Sequence, residues 1–371
     1  MENEKRIIMF YPYVSEDAIR NVVETLRTRW IGQGPKVAEF EKKIKHLVDA
    51  PFVVAVNNSA SAIRLALAVI GVGPGDEVIT TPQTCTATNH PILEQFALPI
   101  FVDIQYLTGN MEPNDMEHRI TERTKAIICV DYGGYPCDLD EINKIAKIYD
   151  LLVIEDASDA LGAIYKDKPV GSISDFTCFS FGAVQQVTTG EGGILCMKDE
   201  QKFESARRRR WFGIDRVRRK ANLAGYYDFD ITEVGYGYHM TDIAAAMGLG
   251  HLEDLQRIIA RRAEIAEQYR KELSKISGIT LFEESPERNN AYQLFSIHVE
   301  RRDDFCRMMR SRGIEVSIVH ERNDLYTIFG GKRQDLPNLE KFSRTNISIP
   351  LHQKLSDEDV QHIIESIKDG W

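Results

Sequence analysis

The run Leu152-Val153-Ile154-Glu155-Asp156-Ala157-Ser158-Asp159 is an apolar stretch that ends in acids. A strand of this kind presents its last carboxylate at the carboxyl edge of a parallel sheet, where α/β proteins hold their ligands. Asp156 is therefore the first candidate for chemistry, although strand-end acids also serve as loop caps and ion-pair partners. A second segment, Phe179 to Gly193, reads as a strand, a polar turn carrying Gln185, and a Gly-Glu-Gly-Gly bend. It gathers backbone amides and hydroxyls at one spot and could hold a phosphate. A third, Val56-Asn57-Asn58-Ser59-Ala60-Ser61, places small residues at the start of a helix, where free amides and the helix dipole attract an anion. An ordinary capped helix has the same pattern.

Other residues add less. Arg207 to Arg210, followed by Trp211 and by Arg216, Arg218, Arg219 and Lys220, could offer guanidinium forks to a nucleotide diphosphate. Four arginines in a row point in different directions around a helix, so one or two at most would touch a ligand. His320 follows an apolar run, and a lone histidine is as readily structural as substrate-facing. No Cys/His cluster has metal-ligand spacing.

These residues need a scaffold, and 371 residues with 43% hydrophobic content suffice for one large and one smaller domain, divided here as 1–250 and 251–371. Short β-rich runs at Phe52–Val56, Val78–Thr81, Ile100–Val102, Ala126–Val130, Leu152–Ile154, Phe176–Phe179 and Gly193–Met197 alternate with helical patterns such as Ser61–Ile70 and Asp140–Tyr149. This predicts an α/β large domain on a mostly parallel mixed sheet. Ala244–Leu273 reads as one long helix leading to a small α+β domain, with strands at Ile279–Phe282, Leu294–Val299 and Ile314–Val319 and helices at Asp304–Arg312 and Asp357–Asp369.

The balance of 46 basic and 56 acidic residues, net −10, argues against binding nucleic acid or an anionic membrane surface and favours a small-molecule partner. The start lacks the apolar core of a signal peptide, and no stretch approaches the roughly 20 apolar residues of a membrane span. Six scattered cysteines without a Cys-x-x-Cys pair fit free thiols in a cytoplasmic setting.

Taken together, the three segments, with Trp30–Phe40 (WIGQGPKVAEF), Gly75-Asp76-Glu77-Val78-Ile79, Thr84–Asn89 (TCTATN), Phe101-Val102-Asp103-Ile104 and Ser348-Ile349-Pro350-Leu351, resemble the DegT/DnrJ/EryC1/StrS family of sugar aminotransferases. That family has the aspartate aminotransferase-like, type I fold of pyridoxal phosphate (PLP) enzymes. The resemblance implies that Asp156 faces the pyridinium nitrogen of PLP and keeps it protonated. It also implies that Ser59, Ala60 and Ser180 contact the cofactor phosphate and that Cys85 lies over the ring, where relatives often have an aromatic residue. It further implies a homodimer with His239, beside Tyr238, near the partner's pocket, a nucleotide-linked sugar as substrate with Trp211 and His320 on its side, and glutamate as amino donor through pyridoxamine phosphate (PMP).

The sequence also departs from that pattern. Gln185 stands where the family carries the Schiff-base lysine, which both attaches the cofactor and moves the substrate proton. A carboxamide has no nucleophilic nitrogen and does not titrate near neutral pH. Asp159 replaces a Gln or His near the cofactor's ring oxygen, while Gly182 and Gly237 lack side chains that relatives carry. Three readings follow: a family member that holds PLP or PMP non-covalently with impaired transamination, a PMP-dependent deoxysugar dehydratase-like enzyme, or a cofactor-free nucleotide-sugar-binding or otherwise diverged, differently catalytic protein on the same scaffold. Gln185, Asp156 and Asp159 are the candidate catalytic residues, and Gln185 also borders the expected cofactor and substrate sites.

Overall fold

The computed structural model describes residues 6–371. Helix α1 (Glu16–Thr28) begins where the Ser15 side chain accepts from the Ala18 amide, and α2 (Pro35–Leu47) begins with a proline in its first turn. Strands and helices then alternate: β1 (Phe52–Val56), α3 (Ser59–Val69), β2 (Glu77–Thr80), α4 (Thr86–Glu94), β3 (Leu98–Phe101), α5 (Pro113–His118), β4 (Thr124–Val130), α6 (Leu139–Ile148) and β5 (Leu152–Asp156). A short hairpin of β6 (Ile164–Tyr165) and β7 (Lys168–Pro169) precedes β8 (Phe176–Ser180) and β9 (Gly193–Met197).

The central sheet has seven strands in the order β1-β9-β8-β5-β4-β2-β3, and only β9 runs against the others. Both faces are covered, which is why the strands are apolar almost throughout. Alternation along each strand divides the side chains between the faces. Val54, Ile128, Ile154 and Cys178 pack with Ile63, Leu67 and Ile92 of α3 and α4, whereas Ile127, Cys129 and Val153 pack with Ile142 and Ile145 of α6. By the same alternation Asp156, two residues beyond Ile154, falls on the α3 and α4 face.

After α7 (Glu200–Arg209) comes a small hairpin, β10 (Lys220–Ala221) and β11 (Tyr227–Asp228). The long helix expected over Ala244–Leu273 is two helices, α8 (Asp242–Leu252) and α9 (Leu255–Leu273). Two different partners set the break. α8 lies against α1 so closely that a Cβ on Gly250 would sit 2.4 Å from the Ala18 nitrogen. α9 instead sends Ile265, Ala266, Tyr269 and Leu273 into a second core.

That core is built on a three-stranded antiparallel sheet of β12 (Ile279–Leu281), β14 (Phe295–Val299) and β15 (Asn346–Ile349), while β13 (Arg288–Asn289) joins β6. Helices α10 (Arg302–Ser311) and α12 (Asp357–Lys368) pack on it, and α11 (Pro337–Thr345) leads into β15. The expected strand Ile314–Val319 is not one: it makes only isolated bridges, Ile314 to Ile7 and Ser317 to Ser348. Its end is drawn towards the large sheet, where the Tyr132 hydroxyl donates to the Val319 carbonyl. Among the described residues no helix is long and apolar enough to cross a membrane, and no group of His, Cys, Asp or Glu is placed to hold a metal ion.

Candidate active site

Asp156 ends β5 with both carboxylate oxygens engaged. The Thr88 hydroxyl donates to Oδ2 at 2.6 Å, and the Ser158 hydroxyl and amide donate to Oδ1 at 2.5 and 3.1 Å. Burial pushes this carboxyl above its ordinary range, and the Ser158 and Thr88 bonds oppose that shift. Thr88 arrives on α4 and is itself fixed by Thr84, whose hydroxyl lies 2.7 Å away. Sequence reasoning missed Thr88 and Ser158 as partners of the acid. Thr84 lies in the turn just before α4 and Thr88 in its first turn, so no regular periodicity marked them.

The candidate anion-binding side is assembled by strand register. Ser180 pairs with Gly193 across β8 and β9, and Gly193 lies against the turn entering α3. A Cβ there would come 2.3 Å from the Asn58 carbonyl oxygen and 2.8 Å from the Ser59 nitrogen, so only glycine allows the approach. The Asn58 side chain caps α3 by accepting from the Ser61 amide at 2.8 Å, and Ser59 and Ala60 form its half-buried first turn. Ser180 is also half-buried, and its hydroxyl accepts from the Gly182 amide at 3.3 Å.

Gln185 lies beside Asp159: its amide nitrogen donates to Asp159 Oδ1 at 3.2 Å. The amide oxygen of Gln185 is enclosed and has no hydrogen-bond partner. Desolvation raises Asp159 to about 6, with Asp156 adding to the rise and the Gln185 bond opposing it. Among the described residues, no lysine bonds or ion-pairs with Asp156, Asp159 or Gln185. A shell absent from the sequence reading surrounds the pair. Gln186 donates to the Asp159 carbonyl at 2.8 Å, Gln293 donates to the Val184 carbonyl at 2.8 Å, and buried Arg262 on α9 donates to Gln293 at 2.6 Å. Burial lowers Arg262 to about 10, against the opposing pull of the Asp159 charge.

The remaining candidates fall into two groups. His320 and Cys85 border the acids. The ring of His320 is in charge range of Asp156, burial lowers its pKa, and its carbonyl accepts from Gln83 at 3.0 Å. Cys85, exposed at the start of α4, feels both Asp156 and Asp159, and desolvation raises its thiol. Trp211 and His239 form a separate cluster, their rings 3.8 Å apart, tied to the end of β1 by the bridge between Val56 and His239. Gly237 bridges Trp211 in the same cluster. No hydrogen bond or ring contact joins that cluster to Asp156, Asp159 or Gln185 among the described residues.

These residues fit a pyridine ring bearing a phosphate. A buried acid with both oxygens hydrogen-bonded stands at the sheet edge, and a capped helix start lies beyond Ser180. The orphaned oxygen of Gln185 marks polar space for a ligand group, and a Cβ on Gly182 would meet only the Ser180 hydroxyl, at 3.5 Å. Residue 185 itself offers no amine.

Residues 12–368 match the family described as DegT/DnrJ/EryC1/StrS aminotransferase. GDP-perosamine synthase of Escherichia coli O157:H7 is 33% identical, with 99% of each chain covered. Among solved structures, the sugar aminotransferase CalS13 of Micromonospora echinospora is 33% identical with a TM-score of 0.93, covering 98% of this chain and 100% of that one. Spr1654 of Streptococcus pneumoniae, solved in a PLP form, is 32% identical with a TM-score of 0.91 and 98% of each chain covered.

Proposed function

We propose, on the premise that the chain belongs to the DegT/DnrJ/EryC1/StrS aminotransferase family, that it binds PLP or PMP without a covalent link, acts on a nucleotide-linked keto- or amino-sugar, and is severely impaired in transamination. The observation that carries this reading is Gln185 against Asp159, with no lysine among the described residues bonded or ion-paired to the acids beside it. When bound, the cofactor supplies an electron sink for charge developing at the substrate carbon.

The chain's own residues hold that ligand in place. Asp156, oriented by Thr88 and Ser158, keeps a proton on the ring nitrogen. The first turn of α3 and Ser180 would take the phosphate, and Cys85 would border the ligand. Gln185 offers a hydrogen bond but neither attaches the ligand nor carries a proton near neutral pH. For the nucleotide part, a cavity of about 410 Å³ is lined by Trp30, Trp211, Arg210, Arg216 and Arg219. Arg216 stacks 4.5 Å over Trp211, and among the described residues neither Arg216 nor Arg219 pairs with a carboxylate. Two uncompensated guanidinium groups beside an aromatic ring suit a nucleoside diphosphate. The relative named as a GDP-perosamine synthase supports the same class. A homodimer and glutamate as donor complete the proposal.

Equilibrium dialysis against PLP, PMP and nucleotide-linked ketosugars, followed by turnover with glutamate, tests it. The expected result is saturable cofactor and sugar binding with amino transfer slow or undetectable. Rapid transfer from glutamate would contradict the proposal. Tight sugar binding without any affinity for PLP or PMP would replace it with a cofactor-free sugar-binding function.

A further inference from the structure

We infer that Asp159, and not Gln185 alone, denies this pocket a free amine: the two form a matched pair in which an amine placed at position 185 is held as an ammonium ion by Asp159. The inference rests on the reading that residue 185 borders the cofactor site, and it makes Asp159 a positioning residue for whatever occupies 185.

The geometry leaves such an amine little choice of partner. The Gln185 nitrogen already sits 3.2 Å from Asp159 Oδ1, and a lysine stem, one atom longer, reaches the same oxygen. The backbone that carries Asp159 is fixed, because its carbonyl is held by Gln186 at 2.8 Å and lies so close to Gly134 that a Cβ there would be 2.8 Å from it. The loop carrying residue 185 is equally fixed, by Gln293 on the Val184 carbonyl at 2.8 Å and by the bond from the Gln185 amide to the Gly182 carbonyl at 3.2 Å. Asp159 has no competing ion pair among the described residues. The cation in charge range, Arg262, directs its own N–H groups to Tyr292, Gln293 and Gln353 at 3.2, 2.6 and 3.5 Å.

The charged and titratable groups around the pair add to the same effect. Asp156 approaches from β5, Cys85 from the start of α4 and Tyr132 from the turn after β4, against the single guanidinium of Arg262 on α9. Desolvation already makes the lone carboxylate of Asp159 costly to ionise, and an adjacent ammonium would relieve that cost for both partners. Protonated, the amine is no nucleophile, and each unit of rise in its pKa cuts the free form tenfold. Glutamine donates to Asp159 without bringing this trap.

The test uses the full chain without cofactor, as Gln185→Lys and as Gln185→Lys combined with Asp159→Asn. Competitive acetylation across a pH series, read by peptide mass spectrometry, gives the titration midpoint of the introduced amine. The expected midpoint is lower in the double variant by one unit or more, which is at least tenfold more free amine at neutral pH. Midpoints agreeing within about 0.3 unit would overturn the inference. Should the lysine variants not fold, Gln185→His with and without Asp159→Asn gives the same comparison through the imidazole midpoint by NMR. Capture of PLP by the two lysine variants, after borohydride reduction, is scored separately. If neither binds PLP, the cofactor reading fails while the midpoints still decide the role of Asp159.

Discussion

Asp156 and Asp159 are three residues apart yet have different surroundings. Asp156 has donors on both oxygens, whereas Asp159 has the Gln185 amide, the Gly133 backbone and a second carboxylate nearby. Because Asp159 is raised to about 6 in the folded protein, its contribution to stability is full below the unfolded value near 4 and is lost as pH rises through about 6. Denaturation curves from pH 4 to 8 therefore show the wild-type chain losing stability relative to Asp159→Asn, by about 1 kcal/mol after screening by solvent on the open side. A parallel pH dependence in the two proteins would contradict the assignment. Asp156 was legible because a strand-end acid has a recognisable local pattern. Thr88 was not, because it lies 68 residues away in sequence and meets the acid only through the packing of α4 on β5.

At the scale of elements, the proposed phosphate side depends on β9 lying against the start of α3. Gly193→Ala forces a methyl to within 2.3 Å of the Asn58 carbonyl. The expected cost is about 2 kcal/mol of stability, with weaker retention of inorganic phosphate and PLP. Thermal denaturation and equilibrium dialysis check both, and an unchanged protein would remove α3 from the site. The sheet strands could be read from their apolar runs because a doubly covered sheet leaves that mark in each strand. Two elements could not. The break between α8 and α9 has no helix-breaking residue, since Glu253 and Asp254 are ordinary polar residues and the change of partner sets it. Ile314–Val319 has strand composition, but Asn346–Ile349 takes the place beside β14.

Over the whole molecule, the site is closed by a seam between the large sheet and the loop around His320. Tyr132 donates to the Val319 carbonyl and receives the Asn346 amide at 3.2 Å, Gln83 reaches His320, and the Asn323 amide donates to the Pro82 carbonyl at 2.8 Å. Tyr132→Phe removes both bonds of that hydroxyl, to Val319 and from Asn346, and is expected to cost about 1 kcal/mol and to increase hydrogen exchange in residues 317–323, with exchange in β4 and β5 unchanged. Uniform loosening of the chain would argue against a local seam. The family was legible from spaced motifs along the whole sequence, and the chain matches it over residues 12–368. The consequence of Gln185 was less legible, because it depends on Asp159, Gln186, Gln293 and Arg262 meeting from four separate segments. The most direct test of the account is to saturate the unaltered protein with PLP, reduce it with borohydride and measure the intact mass. The account predicts bound PLP and an unchanged protein mass. A stoichiometric mass increase corresponding to one reduced PLP adduct per chain would show a covalent lysine link and contradict it.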